Sequence, residues 1–388
     1  MNPADTEDGD SVVDEKVDHE LFSRVVDLLR KRDVADEPKQ AGATLEVVAD
    51  ELDSFLVTHP DSVPALRLLA ECAQRLGDLS RARGYITRAE RLEPWNLEIL
   101  IISESLYESE ASAGGQRPGK PPRLRTDLSS GVVNADKLIE KAMGSFRLGD
   151  LDRAYTLSKL AYLVTPDLEH HLMDILAVGS SLDPRLTYDE LVGLAKMGSP
   201  PPFLLLALGS ICNVLGNYEE ATSWLSMGIE VFPEDPYVKA MFYNELAYVM
   251  IKQRIRLDKC IELARAALEL FPDKNANGFI RDTLGVAYLT SGEVGKAIRN
   301  LREAVSKDPT VIPRFHLALA LLRNKDPAAA LGELKQIADS RPSLESPHVE
   351  ETAILERVQS CISRLENLLN LGGAGDIRDA LEMIDGLV

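Results

Sequence analysis

What most constrains this chain is a recurrence of prolines that end helical patterns: Pro60, Pro94, Pro166, Pro200, Pro233, Pro272, Pro309 and Pro342, at spacings of 34, 72, 34, 33, 39, 37 and 33 residues. Proline lacks the amide that a helix interior needs, so each one closes a unit about two short helices long. A helix pair of that length cannot bury its apolar face alone and must stack on a neighbour. The expected fold class is therefore all-α, an α-solenoid of stacked helix pairs.

The clearest unit runs from Gly278 to Pro309. Leu284, Gly285 and Tyr288 share one face of a first helix, Ser291-Gly292 breaks it, and Ala297, Leu301 and Ala304 recur at helical spacing until Asp308-Pro309. Two antiparallel helices approach closely only where side chains are nearly absent, which predicts that Gly285 meets Ala297 while Ala304 admits the next unit. These residues resemble the tetratricopeptide repeat (TPR), with its Leu-Gly-x2-Tyr, Ala-x3-aromatic and closing Pro. Arg281 stands where that pattern has Trp, and Leu301 where it has an aromatic. The small residue of the second helix recurs as Ala82, Ala154, Ala221, Cys260, Ala297 and Ala330, with Gly77, Gly149, Gly216 and Gly292 at four of the preceding turns. In the unit ending at Pro200, Tyr188 replaces the expected Ala, and the unit rests on spacing alone. The resemblance covers most of residues 43 to 342. It implies a right-handed superhelix of non-clamp type, closed by a C-terminal capping helix pair, and it says nothing about a ligand.

Five segments are expected along the chain. Residues 1–17 are acidic and polar and cannot bury enough apolar surface to fold, which makes them a disordered tail. Residues 18–110 form an N-terminal helical module. Residues 111–133 contain Gly-Gly-Gln-Arg-Pro-Gly-Lys-Pro-Pro-Arg-Leu-Arg, a Pro, Gly and basic run read as a flexible linker. Pro118-x-x-Pro121 within it fits a polyproline ligand, but a solubilising linker is the favoured reading, because short PxxP matches are common in Pro-rich linkers. The main array spans 134–345. In 346–388 a long helix with the stripe Ile354, Val358, Ile362, Leu365 and Leu369, then a short one from Asp376, are expected to cap it.

The charge balance narrows the function. With 43 basic against 62 acidic residues the net charge is −19, and no helix face carries the Lys and Arg stripe that a nucleic-acid partner requires. Cys72, Cys212, Cys260 and Cys361 lie far apart inside helical patterns, with no Cys-x2-Cys pair for zinc or redox work. The first residues are acidic where a signal peptide would be basic and then apolar, and the longest apolar run, Phe203 to Leu208 extended loosely to Leu215, is too short to span a bilayer. The expected location is cytoplasmic.

Chemistry is scarce. His170 and Asp174 would share a helix face, but no third ligand joins them, and no nucleophile elbow or phosphate loop occurs, so no metal, no cofactor and no catalytic residue is assigned. The resemblance implies that first helices line a concave face, which places Phe203, Leu206, Asn213, Met241, Asn244, Tyr248, Phe279, Asp282, Phe315 and Arg323 in a partner groove. Asn213 and Asn244 lack the basic companions of a chaperone-tail clamp. The helix Phe203 to Leu208 is apolar all round, so something covers it, either an external ligand or the chain's own packing. The reading is a non-enzymatic adaptor or scaffold that takes a protein partner's peptide or amphipathic helix in this groove. The alternative is a scaffold that self-assembles into homo-oligomers through its C-terminal helices.

Overall fold

In the computed structural model the structure describes residues 21–27, 29, 38–113, 134–165, 171–232, 234–339 and 349–370, and every described element is an α-helix. The tail at 1–17, residues 114–133 of the linker and the helix expected from Asp376 lie outside the described residues. Ala111, Ser112 and Ala113, expected in the linker, instead finish a helix, because the glycines and prolines that forbid one begin only at Gly114.

Contacts divide the chain into two compact units, residues 1–140 with 159–165, and residues 141–158 with 166–388. The first unit contains α1 (Pro38–Thr58), α2 (Val63–Leu76), α3 (Leu79–Leu92) and α4 (Leu97–Ala113). Its core gathers Leu52, Leu66, Leu69, Ile86, Ile99 and Leu106, all fully buried, each contributing about 1.5–3 kcal/mol by leaving water. Polar contacts then fix the register of α2 on α4: the Gln74 amide donates to Ser105 at 2.8 Å and to Ser109 at 3.1 Å. Arg83 reaches from α3 to Glu110 at 2.8 Å and lies 3.9 Å above the Tyr107 ring. Within the same unit Trp95 meets Tyr162 edge-on at 6.1 Å.

Two helices, α5 (Ala135–Arg147) and α6 (Leu151–Val164), are divided between the units. The second unit continues with α7 (His171–Leu182), α8 (Pro184–Lys196), α9 (Pro202–Val214), α10 (Tyr218–Val231), α11 (Pro236–Lys252), α12 (Leu257–Leu270), α13 (Gly278–Thr290), α14 (Val294–Lys307), α15 (Val311–Arg323), α16 (Pro327–Asp339) and α17 (Val349–Asn370). From α9 onward each odd-numbered helix packs on its even-numbered partner, and that partner on the next first helix, so one apolar core runs from Leu205 to Leu365.

The turns at Gly77, Gly149, Gly216, Gly292 and Lys325 share one geometry. Gly292 has φ +84, its N–H donates to Leu289 O at 3.1 Å, and the Glu293 N–H donates to Tyr288 O at 2.8 Å. Those two bonds satisfy carbonyls that the end of α13 would otherwise leave bare, and they need a left-handed residue, which glycine adopts without strain. The same pattern recurs at Lys325, φ 62, whose N–H donates to Leu322 O while the Asp326 N–H donates to Leu321 O, both at 2.9 Å. Asp78, Asp150 and Asp326 then accept from Arg81, Arg153 and Ala329 amides and start the second helices.

Close crossings set the spacing of each pair. A Cβ on Gly209 would lie 2.5 Å from Leu225, and one on Gly285 would lie 2.5 Å from Leu301. The atoms nearest the notch at Gly285 belong to Leu301, one turn beyond the expected Ala297, which is itself fully buried in the same core. In the unit without the expected Ala, Gly179 makes the approach against Thr187, and the Tyr188 hydroxyl donates to Glu220 instead. At the C-terminal end α17 buries Ile354, Val358, Cys361, Ile362 and Leu365 and packs on α15 and α16. Leu369, expected in that stripe, is half-buried.

Candidate partner-binding surface

The first helices α9, α11, α13 and α15 lie side by side, and polar side chains cross the seams between them. Ser210 on α9 donates to Glu245 on α11 at 2.9 Å. Asp282 on α13 holds the His316 Nδ1 of α15 with both carboxylate oxygens, at 2.8 and 2.9 Å, with both residues buried. Further along the same seam the Arg323 guanidinium donates to the Leu289 carbonyl at 3.3 Å.

These seams decide where the expected groove residues sit. Phe203, Asn213, Met241, Tyr248, Phe279 and Arg323 are half-buried and reach the surface. Leu206, Asn244, Asp282 and Phe315 are buried, and the expectation that they face solvent is corrected. Leu206 and Phe315 belong to the continuous core, with Phe315 only 1% exposed, and Asp282 turns sideways to His316. A helix face that looks outward by its 3.6-residue period still presents its flanks to the neighbouring first helices, and these positions lie on the flanks. Asn244 is buried with no hydrogen-bond partner for its Oδ1 among the described residues. The rest of the surface is contact chemistry: rings, a thioether and an amide, with Lys252 lying 5.4 Å over the Tyr248 ring.

One aromatic residue, Tyr237, extends this surface beyond what the sequence indicated, and the buried Phe271 ring links it to Phe279. Phe203, Tyr237, Phe271 and Phe279 form a row, with ring centres 6.3 Å, 5.4 Å and 5.4 Å apart in that order. Tyr237 is exposed and sits in the first turn of α11, which runs 17 residues where α9 and α13 run 13. The 39-residue gap between Pro233 and Pro272 is the sequence signal for that added length, and Asp235-Pro236 for its start.

The candidate reactive groups fall apart in three dimensions. His170 lies outside the described residues, and it is His171, not His170, whose Nδ1 stands 3.3 Å from Asp174. Among the described residues no group of three or more His, Cys, Asp or Glu side chains could hold a metal ion. All four cysteines are buried free thiols. Burial pushes Cys72 and Cys260 up to about 11 and Cys212 up to about 12, and raises Cys361 as well, so each thiol is held protonated. No described helix is long and apolar enough to cross a membrane.

A stack of antiparallel helix pairs with a left-handed turn residue inside the pair and a close small-residue crossing defines an α-solenoid repeat protein. The family model described as tetratricopeptide repeat matches residues 283–345, across α13 to α16. Residues 283–345 thus carry tetratricopeptide repeats, and the helix pairs from α9 to α12 before them stack in the same way. No curated protein matches its sequence. Among solved structures it is similar to a chain of the APC/C hetero-tetramer Cut9-Hcn1, at 16% identity and a TM-score of 0.44, covering 87% of this chain and 62% of that one. It is also similar to PilW, described as a widely conserved type IV pilus biogenesis factor, at 14% identity and a TM-score of 0.41, covering 58% of this chain and 98% of that one. A thermophilic TPR protein of Thermus thermophilus aligns at 15% identity with a TM-score of 0.36, covering 58% of this chain and 99% of that one.

Proposed function

We propose that this chain is a non-enzymatic, cytoplasmic adaptor or scaffold that takes a peptide or amphipathic helix of a protein partner on the first-helix face of residues 202–323. The observation that carries this reading is the accessible strip of Phe203, Tyr237 and Phe279 with Met241, and Tyr248 further along α11. Rings presented at half-burial on a rigid stack lose little side-chain entropy on binding, which is why such residues anchor interfaces. TPR folds serve protein–protein interaction generally, and the strongly negative net charge disfavours a nucleic-acid partner.

The test is affinity capture with the full-length chain and with Phe203→Glu combined with Phe279→Glu. Both rings are half-buried, so the double variant keeps its helical circular dichroism, while Phe315→Glu would place a charge in the core and unfold the array. A protein retained by the wild type and lost by the double variant supports the reading; equal retention removes the groove assignment. The seating of α17 on α15 and α16 of its own chain favours this adaptor over homo-oligomers joined through C-terminal helices, since the apolar stripe such a contact would use is already covered.

A further inference from the structure

The turn between α11 and α12 is one residue longer than the turns at Gly216 and Gly292. Gly216 and Gly292 supply the left-handed residue in neighbouring units; here Arg254 does so at φ 55, one residue is inserted, and Arg256 adopts a second left-handed conformation at φ 46. Each such non-glycine residue costs on the order of 1 kcal/mol, a cost glycine removes. Arg254, Ile255 and Arg256 are all exposed, Ile255 by 44%.

The basic side chains at this turn carry no partner among the described residues. Arg281 pairs with Glu303 and Arg314 with Glu333, but among the described residues neither the Arg254 nor the Arg256 guanidinium has a hydrogen bond or an ion pair. Asp258 is exposed and forms no ion pair with them, and Lys259 is taken by Glu262 at 3.0 Å. Two unpaired guanidinium groups thus flank an exposed apolar side chain in a chain of net charge −19.

We propose that this turn docks an acidic peptide segment of a protein partner, carboxylates meeting Arg254 and Arg256 and an apolar side chain covering Ile255. The cation–apolar–cation order along the turn complements an anion–apolar–anion order in the ligand, and guanidinium binds carboxylate through two parallel N–H donors. A long polyanion is repelled by the acidic remainder of the chain over a Debye length of about 8 Å, whereas a short segment with two or three carboxylates is not obliged to approach it. The inference rests on the reading of this chain as a protein-binding module and adds a site outside its groove.

Fluorescence anisotropy with the full-length chain tests it, with labelled Glu-Leu-Glu-Leu-Glu as the probe and Lys-Leu-Lys-Leu-Lys as the control. The acidic probe binds, more weakly as salt rises, and the lysine peptide does not. Arg254→Gly with Arg256→Gly lowers the affinity about five-fold or more while raising the melting temperature, so the loss is not unfolding. Unchanged affinity in that variant overturns the proposal, as does displacement of the probe by a single-stranded oligonucleotide or phosphatidylserine vesicles of equal total charge. Phe203→Glu with Phe279→Glu leaves probe affinity unchanged; if that variant alone loses the probe, the turn assignment falls and the groove stands, and if the glycine variant alone loses it, the turn stands whatever becomes of the groove.

Discussion

At the scale of single residues, the glycines of this array separate into two kinds with opposite mutational signs. Gly285 and Gly228 sit where a neighbour already occupies the space a Cβ would take: Leu301 for the first, and the buried Phe242 ring for the second. Gly285→Ala and Gly228→Ala are each expected to destabilise by about 1–3 kcal/mol, because a close-packed crossing can accommodate a methyl group only by moving a helix. Gly332, inside α16 with nothing within 4 Å, is the control, and Gly332→Ala is expected to stabilise by up to about 1 kcal/mol through helix propensity. Urea midpoints measured by circular dichroism check both, and a Gly285→Ala midpoint at or above the wild type would show that the crossing is slack. The thiols give a second residue-scale test. Their folded pKa lies above the ordinary value of about 9, so as pH rises an unfolded thiol releases its proton first. The stability they contribute is complete below pH 9 and is withdrawn as pH climbs toward about 11 to 12. Melting temperature should fall across that window, less so in Cys212→Ala measured against its own neutral-pH value. A thiol reagent at pH 8 should react with all four cysteines only after denaturation, and a thiol modified within the mixing time would contradict the burial described.

At the scale of elements, the turns inside the pairs show how strictly the repeat backbone is specified. Lys325 adopts the conformation that Gly292 adopts one unit earlier, with the same two hydrogen bonds, and it is exposed. Lys325→Gly should therefore stabilise by about 1 kcal/mol, since it relieves left-handed strain without removing a packed side chain. A melting temperature that falls instead would mean the Lys325 side chain stabilises the turn by more than its backbone strain costs. The helix pairs are legible in the sequence for the same reason. Proline and glycine act on the backbone locally, so Gly292 and Pro309 announce their places without any knowledge of neighbours. What is not legible lies across the seams. Asp282 and His316 are far apart in sequence and belong to no repeat motif, and periodicity places Asp282 outward although the next first helix is there to receive it. The notch at Gly285 is filled by Leu301, one turn beyond Ala297, because packing volume prefers a large residue opposite a small one, where small opposite small is the simpler expectation. Tyr237 escapes the repeat numbering because α11 starts one turn early, and a register carried over from its neighbours skips that turn.

At the scale of the whole molecule, the remaining question is whether the basic segment between the two modules is a point of separation. We propose the boundaries expected from composition, a tail at 1–17, a module at 18–110, a linker at 111–133, an array at 134–345 and a cap at 346–388, with the correction that helix continues to Ala113. Trypsin offers the direct measurement. Arg117, Lys120, Arg123 and Arg125 lie in a run whose prolines and glycines disfavour both helix and strand, while Arg67 and Arg83 are held on α2 and α3 and paired with Glu98 and Glu110. Cleavage is therefore expected first at Arg123 and Arg125, since Arg117 and Lys120 each precede a proline and trypsin does not cut before proline. Two fragments that part company on a size-exclusion column would mean that the modules are independent; the expected outcome is the opposite. Trp95 is 9% exposed, its ring lies 6.1 Å edge-on from Tyr162 and 5.8 Å from the Lys159 ammonium, and both of those partners lie beyond the cleavage sites. Separating the fragments would return this indole to water, and burial of a large aromatic is worth about 3–5 kcal/mol as judged by truncation to alanine. The nicked chain should elute as one species, and Trp95→Ala should let the same nicked fragments come apart. Fragments that separate in the wild type, or that stay together in Trp95→Ala, would show that this contact is not what joins them.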